Sequence, residues 1–450
     1  MFEIHPSAKN NFDSKAELLM DLLTEVPREP ERERIFNSEV HPAATITDNE
    51  IIGPIKEAIS DYKGNTIGRF FSFEKKRYGL VDSAHEELVK LAEAIQRLPT
   101  FREKLSQKFV EESMFSWIEK NFSKKITKKP FIDMLVEDAS DVVEPITISV
   151  PIANTIVEVP FRFCGALIKN LTKSMVDKMA ESGQSIVDEK NRTNFENFVE
   201  DFRGKYQGYA VIELDLECEP DYANEFSLST VSKITDLLGI YSGAVLIADV
   251  KCVSRAKGTE NIAQFTTIRM GRSGSLNVTK GILDLASAKN WFISKADLDA
   301  YVECGLEVIS EIVIKDKATD FESTVLNMAL LYSKSAFTSD PLEKLVYMLS
   351  ALEATLLRNE NEPIQQNIAE RMALFISNEL ENRKEIIKNL KNVYGLRSRY
   401  LHHGHSSSEL GELSKFFFNV WLFHVQLVKN VRNFKDKTEF LNAIDDHKLS

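Results

Sequence analysis

Cysteine is scarce in this chain, and no two cysteines are close together in sequence. The four cysteines are Cys164, Cys218, Cys252 and Cys304. Because none belongs to a CxxC pair or stands beside a histidine, the sequence offers no zinc site. Isolated cysteines of this kind are typical of buried free thiols in a reducing compartment, so we expect a cytoplasmic protein.

Long apolar runs are also lacking. The first residues, MFEIHPSAKNNFDSK, have no apolar core of the kind found in a signal peptide. The most apolar stretch near the end, residues 416–428, is too short to span a bilayer and contains Asn419, His424 and Gln426. We therefore expect no interaction with a membrane.

Positive charge is in deficit, with a formal net charge of -12. This balance argues against a strongly basic protein that coats nucleic acid. The net charge does not exclude an enzyme that binds a short piece of nucleic acid, because such an enzyme needs only a local basic patch.

The 450 residues exceed one ordinary core, and the sequence pattern predicts an α+β protein in three parts. Residues 1–138 form a mainly helical N-terminal region in this prediction. Residues 139–318 form an α+β domain. Residues 319–450 form an all-helical domain of about five or six helices, because strand signals stop at about residue 319.

The strand signals of the middle part are concentrated in three stretches. PITISVPIANTIVEVPFRF predicts a β-hairpin around an Ala-Asn turn. YAVIELDLEC alternates cleanly between apolar and polar residues, and AVLIADVKCV reads as a further strand. In the last part, Asp340 followed by Pro341 predicts the start of a helix, with a capping residue and then proline at the first helical position.

Two charged residues fall in the middle of apolar helical stripes in the last part of the chain. Glu353 lies among the leucines of the helix that starts at Pro341, and Arg397 lies on the apolar side of a later helix. Since an unpaired charge on an inward face is costly, we expect these two side chains to pair. Arg371 is a competing partner for Glu353, and an ion pair that only holds the helices in register is the alternative to a functional pair.

Three of the eight histidines occur in the segment YGLRSRYLHHGHSS, at positions 402, 403 and 405. The segment from 383 to 405 carries six lysines and arginines against one acid, Glu385, which predicts an anionic ligand. Gly404 predicts a helix end that would leave the histidines at the helix terminus. Arginine can stabilise the charge of a phosphorane, and histidine can move protons near neutral pH. A solvated helix end, a metal site and a Ser/His/Asp hydrolase are the alternatives, and the last lacks a GxSxG elbow.

The residues VYGLRSRYLHHG, preceded by a helix containing ALEATLL, resemble the HEPN superfamily and most closely its Apea-like branch. The resemblance covers about 110 residues, from Asp340 to the end of the sequence. Its motif, an arginine followed after four to six residues by a histidine, matches Arg397 and His402. A five-residue gap would make His403 the catalytic histidine, but the four-residue gap of the Apea-like form favours His402.

This resemblance implies a metal-independent endoribonuclease without a cofactor, held inactive by the rest of the chain. Residues 139–318 would then have a regulatory or sensing role. In it Arg397 stabilises the phosphorane, His402 is the general acid or base, and Glu353 positions Arg397. The remaining residues would orient the site or contact RNA, namely Ser398, His403, Arg399, Lys391 and Lys388. The resemblance also implies a role in bacterial anti-phage defence or abortive infection, with a phage-derived trigger. The alternatives are a non-catalytic module that binds RNA or a nucleotide or dimerises, and a phage-protein sensor whose N-terminal part has the main function.

A homodimer through the C-terminal domain is the expected assembly. Regular helical geometry places Arg397 and His402 on different faces, so a second copy would supply the missing partner, and the superfamily typically has composite sites. The aromatic residues of the last predicted helix offer material for the interface. They are Phe416, Phe417, Phe418, Trp421 and Phe423.

Overall fold

The computed structural model describes most of the chain. The described residues are 2–26, 58–60, 66–74, 76–122, 129–185, 187–259, 264–270, 276–282, 290–403 and 410–449. They contain fifteen α-helices and twelve strands, so the predicted α+β class is confirmed. They form two compact units, one of residues 1–146 with 216–226, and one of residues 147–215 with 227–450. The predicted boundary at 318/319 falls inside the second unit, and the three-part layout stays a prediction.

Helices and a sheet both contribute to the first unit. Up to Val142 its elements are α1 (Pro6–Asp21), β1 (Thr24–Glu25), β2 (Ala58–Ser60), β3 (Thr66–Phe73), β4 (Lys76–Val81), α2 (Ser83–Gln96), α3 (Gln107–Phe122) and α4 (Phe131–Val142). The four strands form an antiparallel sheet in the order β1-β4-β3-β2, which the sequence interpretation did not predict. The four helices bury one apolar core around Leu88, Met114 and Leu135.

The described residues between 144 and 314 form both strands and helices. The strands are β5 (Glu144–Pro151), β6 (Thr155–Val157), β7 (Phe161–Phe163), β8 (Ala166–Asn170), β9 (Ala210–Cys218), β10 (Gln264–Met270), β11 (Leu276–Ile282) and β12 (Trp291–Ile293). The helices are α5 (Lys173–Gln184), α6 (Arg192–Tyr206), α7 (Pro220–Gly239), α8 (Lys295–Glu303) and α9 (Leu306–Ile314). β9 confirms the strand predicted from YAVIELDLEC.

Two of the strand predictions for this part are wrong. β5 and β6 do not form a hairpin, because β5 lies at the edge of the sheet β5-β9-β8-β7 and β6 pairs in parallel with β12. The turn residue Asn154 has a φ of 52°, so the chain does turn there. After this turn the chain leaves the sheet that contains β5. The stretch AVLIADVKCV contains the end of a short 3-10 helix, Gly243–Val245, followed by irregular chain, and no strand.

The remaining described residues, 319–403 and 410–449, are helical with short connections, as predicted. The helices are α10 (Asp320–Lys334), α11 (Pro341–Leu356), α12 (Ile364–Ile376), α13 (Leu380–His403), α14 (Leu410–Lys429) and α15 (Lys437–Leu449). The predicted helix start at Asp340 is confirmed, because its Oδ1 accepts from the backbone N–H groups of Leu342 and Glu343 at 2.7 and 3.2 Å. α11 packs against α10, α12, α13 and α14, and its buried side chains make it the centre of this helical domain.

Candidate functional site

Glu353 of α11 and Arg397 of α13 form the ion pair that the sequence predicts. Arg397 Nη1 donates to Glu353 Oε1 at 2.7 Å. Tyr394, one turn earlier on α13, donates its hydroxyl to the same carboxylate oxygen at 3.0 Å. A single carboxylate on α11 therefore fixes two side chains of α13.

Arg371, the competing partner for Glu353, has other partners. Its guanidinium donates to both oxygens of Glu362 at 2.9 and 3.1 Å and to both oxygens of Asp445 at 3.0 Å. It also donates to the backbone oxygen of Leu356 at 2.6 Å. Burial lowers the pKa of Arg371, but the two carboxylates outweigh it and the net shift is upward. Arg371 therefore joins α12 to α15 and to the end of α11, as a structural ion pair.

The Glu353–Arg397 pair lies at the edge of the core and not in its centre. The side chains of Glu353 and Arg397 are 23% and 26% exposed, whereas the Arg371 side chain is 7% exposed. Arg397 Nε is buried and has no hydrogen-bond partner among the described residues. Within the described residues Glu353 is the acceptor for this guanidinium, and the exposed quarter of the Arg397 side chain can meet a further acceptor such as an anion.

Tyr394 is kept neutral by its surroundings. Burial and the neighbouring Glu353 carboxylate both raise the pKa of its hydroxyl, although Arg397 opposes them. A neutral Tyr394 donates to Glu353 throughout the physiological pH range. Sequence reasoning assigned Tyr394 no role, although its position three residues before Arg397 puts both on the same side of a helix.

The exposed face of α13 carries most of the predicted RNA-contacting residues. Lys384, Lys388, Lys391 and Arg399, here called the basic stripe, are all exposed. Their spacing places them within a sector of about 100° around the helix, and the exposed Ser398 lies in the same sector. Within the stripe, Lys384 donates to the carboxylate of Glu381 at 2.7 Å. The structure thus brings Lys388, Lys391, Ser398 and Arg399 to one surface.

Arg397 and His402 do not share a face of α13. The helix continues through His403, and five residues separate the two positions. This separation corresponds to about 140° around the axis and about 7.5 Å along it. The side chains of His402 and His403 lie outside the part of the chain whose side chains the structure describes, as do residues Gly404 and His405, so the predicted helix end at Gly404 stays a prediction.

The aromatic residues expected to form a dimer interface are mostly in the core. Phe416, Phe417 and Phe423 are fully buried within the helical domain, and Trp421 is half-buried. Only Phe418 of the five is exposed, at 52%. α14 is also not the last helix, since α15 follows it. The prediction that these aromatic residues form a dimer interface is therefore wrong for the three buried phenylalanines.

A second polar network on α13 and α14 was missed by sequence reasoning. Asn389 donates to the backbone oxygen and to Oε2 of Glu412 at 2.9 and 3.0 Å, and Asn392 donates to the same Oε2 at 3.2 Å. The bonds from Asn389 and Asn392 lower the pKa of Glu412. The i, i+3 spacing of the two asparagines was the available signal.

Among the residues whose side chains are described, no group of three or more His, Cys, Asp and Glu side chains is arranged to hold a metal ion. That set excludes His402, His403 and His405. None of the helices in the described ranges has the length and hydrophobicity needed to cross a bilayer.

Comparison of the chain with protein-family models, with curated proteins and with solved structures found no match.

Proposed function

We propose that the C-terminal helical domain is a metal-independent endoribonuclease of the HEPN type. The observation that carries this proposal is the Glu353–Arg397 pair, because Glu353 binds one nitrogen of the guanidinium while about a quarter of the Arg397 side chain stays exposed to an anion. Arg371 shows the contrasting arrangement of an arginine with a purely structural role, because two carboxylates and a backbone oxygen bind its guanidinium.

The basic stripe supplies the second element of the proposal. Its four cations lie on one exposed face of the helix that carries Arg397. In a chain with a net charge of -12, such a local cluster favours a polyanion as ligand. Lys388, Lys391 and Arg399 would contact the phosphates that flank the cleaved bond.

The chemistry would use the nucleophile that RNA itself provides. The 2′-hydroxyl loses its proton to a base, its oxygen forms a bond to the adjacent phosphorus, and the bond from phosphorus to the 5′ oxygen breaks. A proton is delivered to that leaving oxygen. The products are a 2′,3′-cyclic phosphate and a 5′-hydroxyl. In the proposal His402 moves protons, Arg397 stabilises the charge on the phosphorane oxygens, and Ser398 and His403 orient the phosphate.

The separation of Arg397 and His402 around α13 bears on how such a site is completed. In one chain the two positions are about 140° apart on a continuous helix. We propose that a homodimer completes the site, with Arg397 of one copy acting with His402 of the other. The same separation favours the second candidate function, a non-catalytic module that binds RNA. The regulatory role of the N-terminal part, the phage-derived trigger and the role in bacterial defence belong to the same proposal.

Expression in bacteria tests the proposal. Wild type and His402→Ala would be induced side by side, and the 5′-hydroxyl ends of cellular RNA would be sequenced. New ends and growth arrest that occur only with wild type are the expected result. Equal amounts of new ends with both proteins would move the catalytic assignment to His403. No new ends with either, although both bind RNA, would favour the non-catalytic module.

A further inference from the structure

A pocket of about 450 Å³ opens between α12, α13 and α14 of the helical domain. Its volume is in the range that binds small organic groups. Lys388 of the basic stripe lines it, together with Asn389 of α13 and Lys415 and Phe418 of α14. It lies away from the proposed catalytic motif, because Lys388 precedes Arg397 by nine positions and His402 by fourteen, which correspond to about 13 Å and about 21 Å along α13.

Asn389 presents a hydrogen-bond acceptor that the described residues do not satisfy. The residue is only 6% exposed. Its Nδ2 donates to the backbone oxygen and to the carboxylate of Glu412, and both of these groups only accept. The orientation of the amide is therefore fixed, and Oδ1 is the atom that is buried without a partner among the described residues. A buried acceptor of this kind calls for an N–H or O–H donor.

Phe418 gives the same pocket an apolar surface. Its side chain is 52% exposed, although its neighbours Phe416 and Phe417 are fully buried. Ile386 and Leu422 add further apolar lining. A flat ring with N–H groups on its edge could stack against Phe418 while it donates to Asn389 Oδ1.

The charges around the pocket favour a neutral group inside it. Lys388 and Lys415 are balanced by Glu385 and Glu412 in the lining. Glu412 is already engaged by Asn389 and Asn392, and Lys415 is 3.9 Å from it. A bare phosphate would meet both carboxylates, whereas the basic stripe beside the pocket, with Lys384 and Lys391, offers phosphates a better place.

We infer that this pocket binds one nucleobase of a single-stranded RNA, stacked on Phe418 and donating an N–H to Asn389 Oδ1, while the basic stripe holds the neighbouring phosphates. The inference rests on the proposed function, since that function supplies the RNA. It adds a base-recognition site several nucleotides from the cleaved bond. The same chemistry would fit the base of a free nucleotide, which the experiment distinguishes.

Binding of a fluorescent oligoadenylate with 2′-O-methyl groups tests the inference, because this ligand lacks the nucleophile and is not cleaved. Its affinity for the full chain would be measured by anisotropy. Phe418→Ala should weaken binding at least about 5-fold, since stacking of a base on an aromatic ring contributes on the order of 1–3 kcal/mol. Phe418→Trp should retain the affinity. Phe198→Ala is the matched control, because Phe198 of α6 is 61% exposed, and it should leave binding unchanged.

A second ligand tests the hydrogen bond to Asn389. An oligonucleotide of N6,N6-dimethyladenine keeps the ring and the phosphates but has no N–H on its amino group. It should bind wild type about as weakly as oligoadenylate binds Phe418→Ala.

Four results would overturn the inference. Unchanged affinity in Phe418→Ala would refute the base-binding pocket, and the proposed nuclease function would still stand if wild type cleaves RNA. Tighter binding of adenosine monophosphate than of the oligonucleotide would assign the pocket to a free nucleotide. A change in oligomeric state in Phe418→Ala, with RNA binding unaltered, would assign Phe418 to a protein contact. Absence of any RNA binding by wild type would overturn the proposed function as well.

Discussion

Removing the Glu353 carboxylate should destabilise the helical domain through Arg397 and Tyr394, which both donate to it. Breaking a fully buried ion pair costs about 3–5 kcal/mol, but these two side chains retain about a quarter of their exposure, and water can solvate the remaining charge. We therefore expect Glu353→Ala to lower the free energy of unfolding by about 2 kcal/mol. With an unfolding entropy of about 2.1 cal/mol/K per residue, the compact unit of about 290 residues should melt about 3 °C lower.

A double-mutant cycle isolates the pair from other effects of the substitution. Glu353→Ala, Arg397→Ala and the double variant would be compared by urea unfolding, and a coupling energy of about 1–2 kcal/mol is expected. Glu381→Ala is the matched control, because it breaks the exposed pair with Lys384 and should cost less than about 0.5 kcal/mol. A coupling energy near zero between Glu353 and Arg397, or a loss no larger than in the control, would refute this account of how α11 positions Arg397.

Three further predictions concern buried polar groups and assembly. His424 is fully buried, neither ring nitrogen has a partner among the described residues, and burial lowers its pKa to about 4. Between pH 6.5 and 4 this histidine binds more protons in the unfolded chain than in the folded one, so the free energy of unfolding should fall by about 3 kcal/mol as pH drops through that window. His424→Phe should remove this pH dependence in urea unfolding. Lys344 is fully buried and donates to the backbone oxygens of Ala244, Ile247 and Val250. Lys344→Met should therefore lower the free energy of unfolding by about 2–4 kcal/mol in the same measurement, and an unchanged urea midpoint would contradict this. Light scattering at micromolar concentration should show a homodimer, and mixing Arg397→Ala with His402→Ala should restore RNA cleavage; a strict monomer that cleaves RNA would exclude the composite site.

The helical domain is the part of the fold that the sequence predicts best. Asp340 and Pro341 predict the start of α11 because capping and a proline at the first position are local interactions. The Glu353–Arg397 pair was predictable because each charge interrupts an apolar stripe, which leaves few ways to satisfy it. Its position at the edge of the core was not predictable, since that depends on how α11 and α13 pack.

The strand predictions failed where pairing is not local. The sequence around Asn154 has the pattern of a hairpin, yet β5 and β6 find partners in β9 and β12, which are distant along the chain. The stretch AVLIADVKCV is apolar enough for a strand, but three of the carbonyl groups at 244–250 accept from the buried Lys344 ammonium. A side chain about a hundred residues away thus replaces the hydrogen bonds of a sheet, and no local pattern reveals that.

The candidate site shows the same division between local and distant information. The motif of Arg397 and His402, the basic stripe and Glu353 are visible in the sequence. Phe418 stands out in the sequence only as a candidate interface residue, and Asn389 does not stand out at all. Their shared pocket is seen only once α13 and α14 are packed together, where Asn389 supplies an acceptor without a partner among the described residues and Phe418 an exposed ring.

Cleavage of a labelled single-stranded RNA by the purified full chain in excess EDTA is the most direct test of the central claim. Wild type should cleave it to products with a 2′,3′-cyclic phosphate and a 5′-hydroxyl, whereas His402→Ala and Arg397→Ala should not, and an RNA with a 2′-deoxy group at the cleavage position should stay intact. His402→Ala should melt within about 1 °C of wild type, which separates loss of catalysis from loss of folding. Cleavage that disappears in EDTA and returns with magnesium or manganese, or cleavage of the 2′-deoxy substrate, would contradict the mechanism.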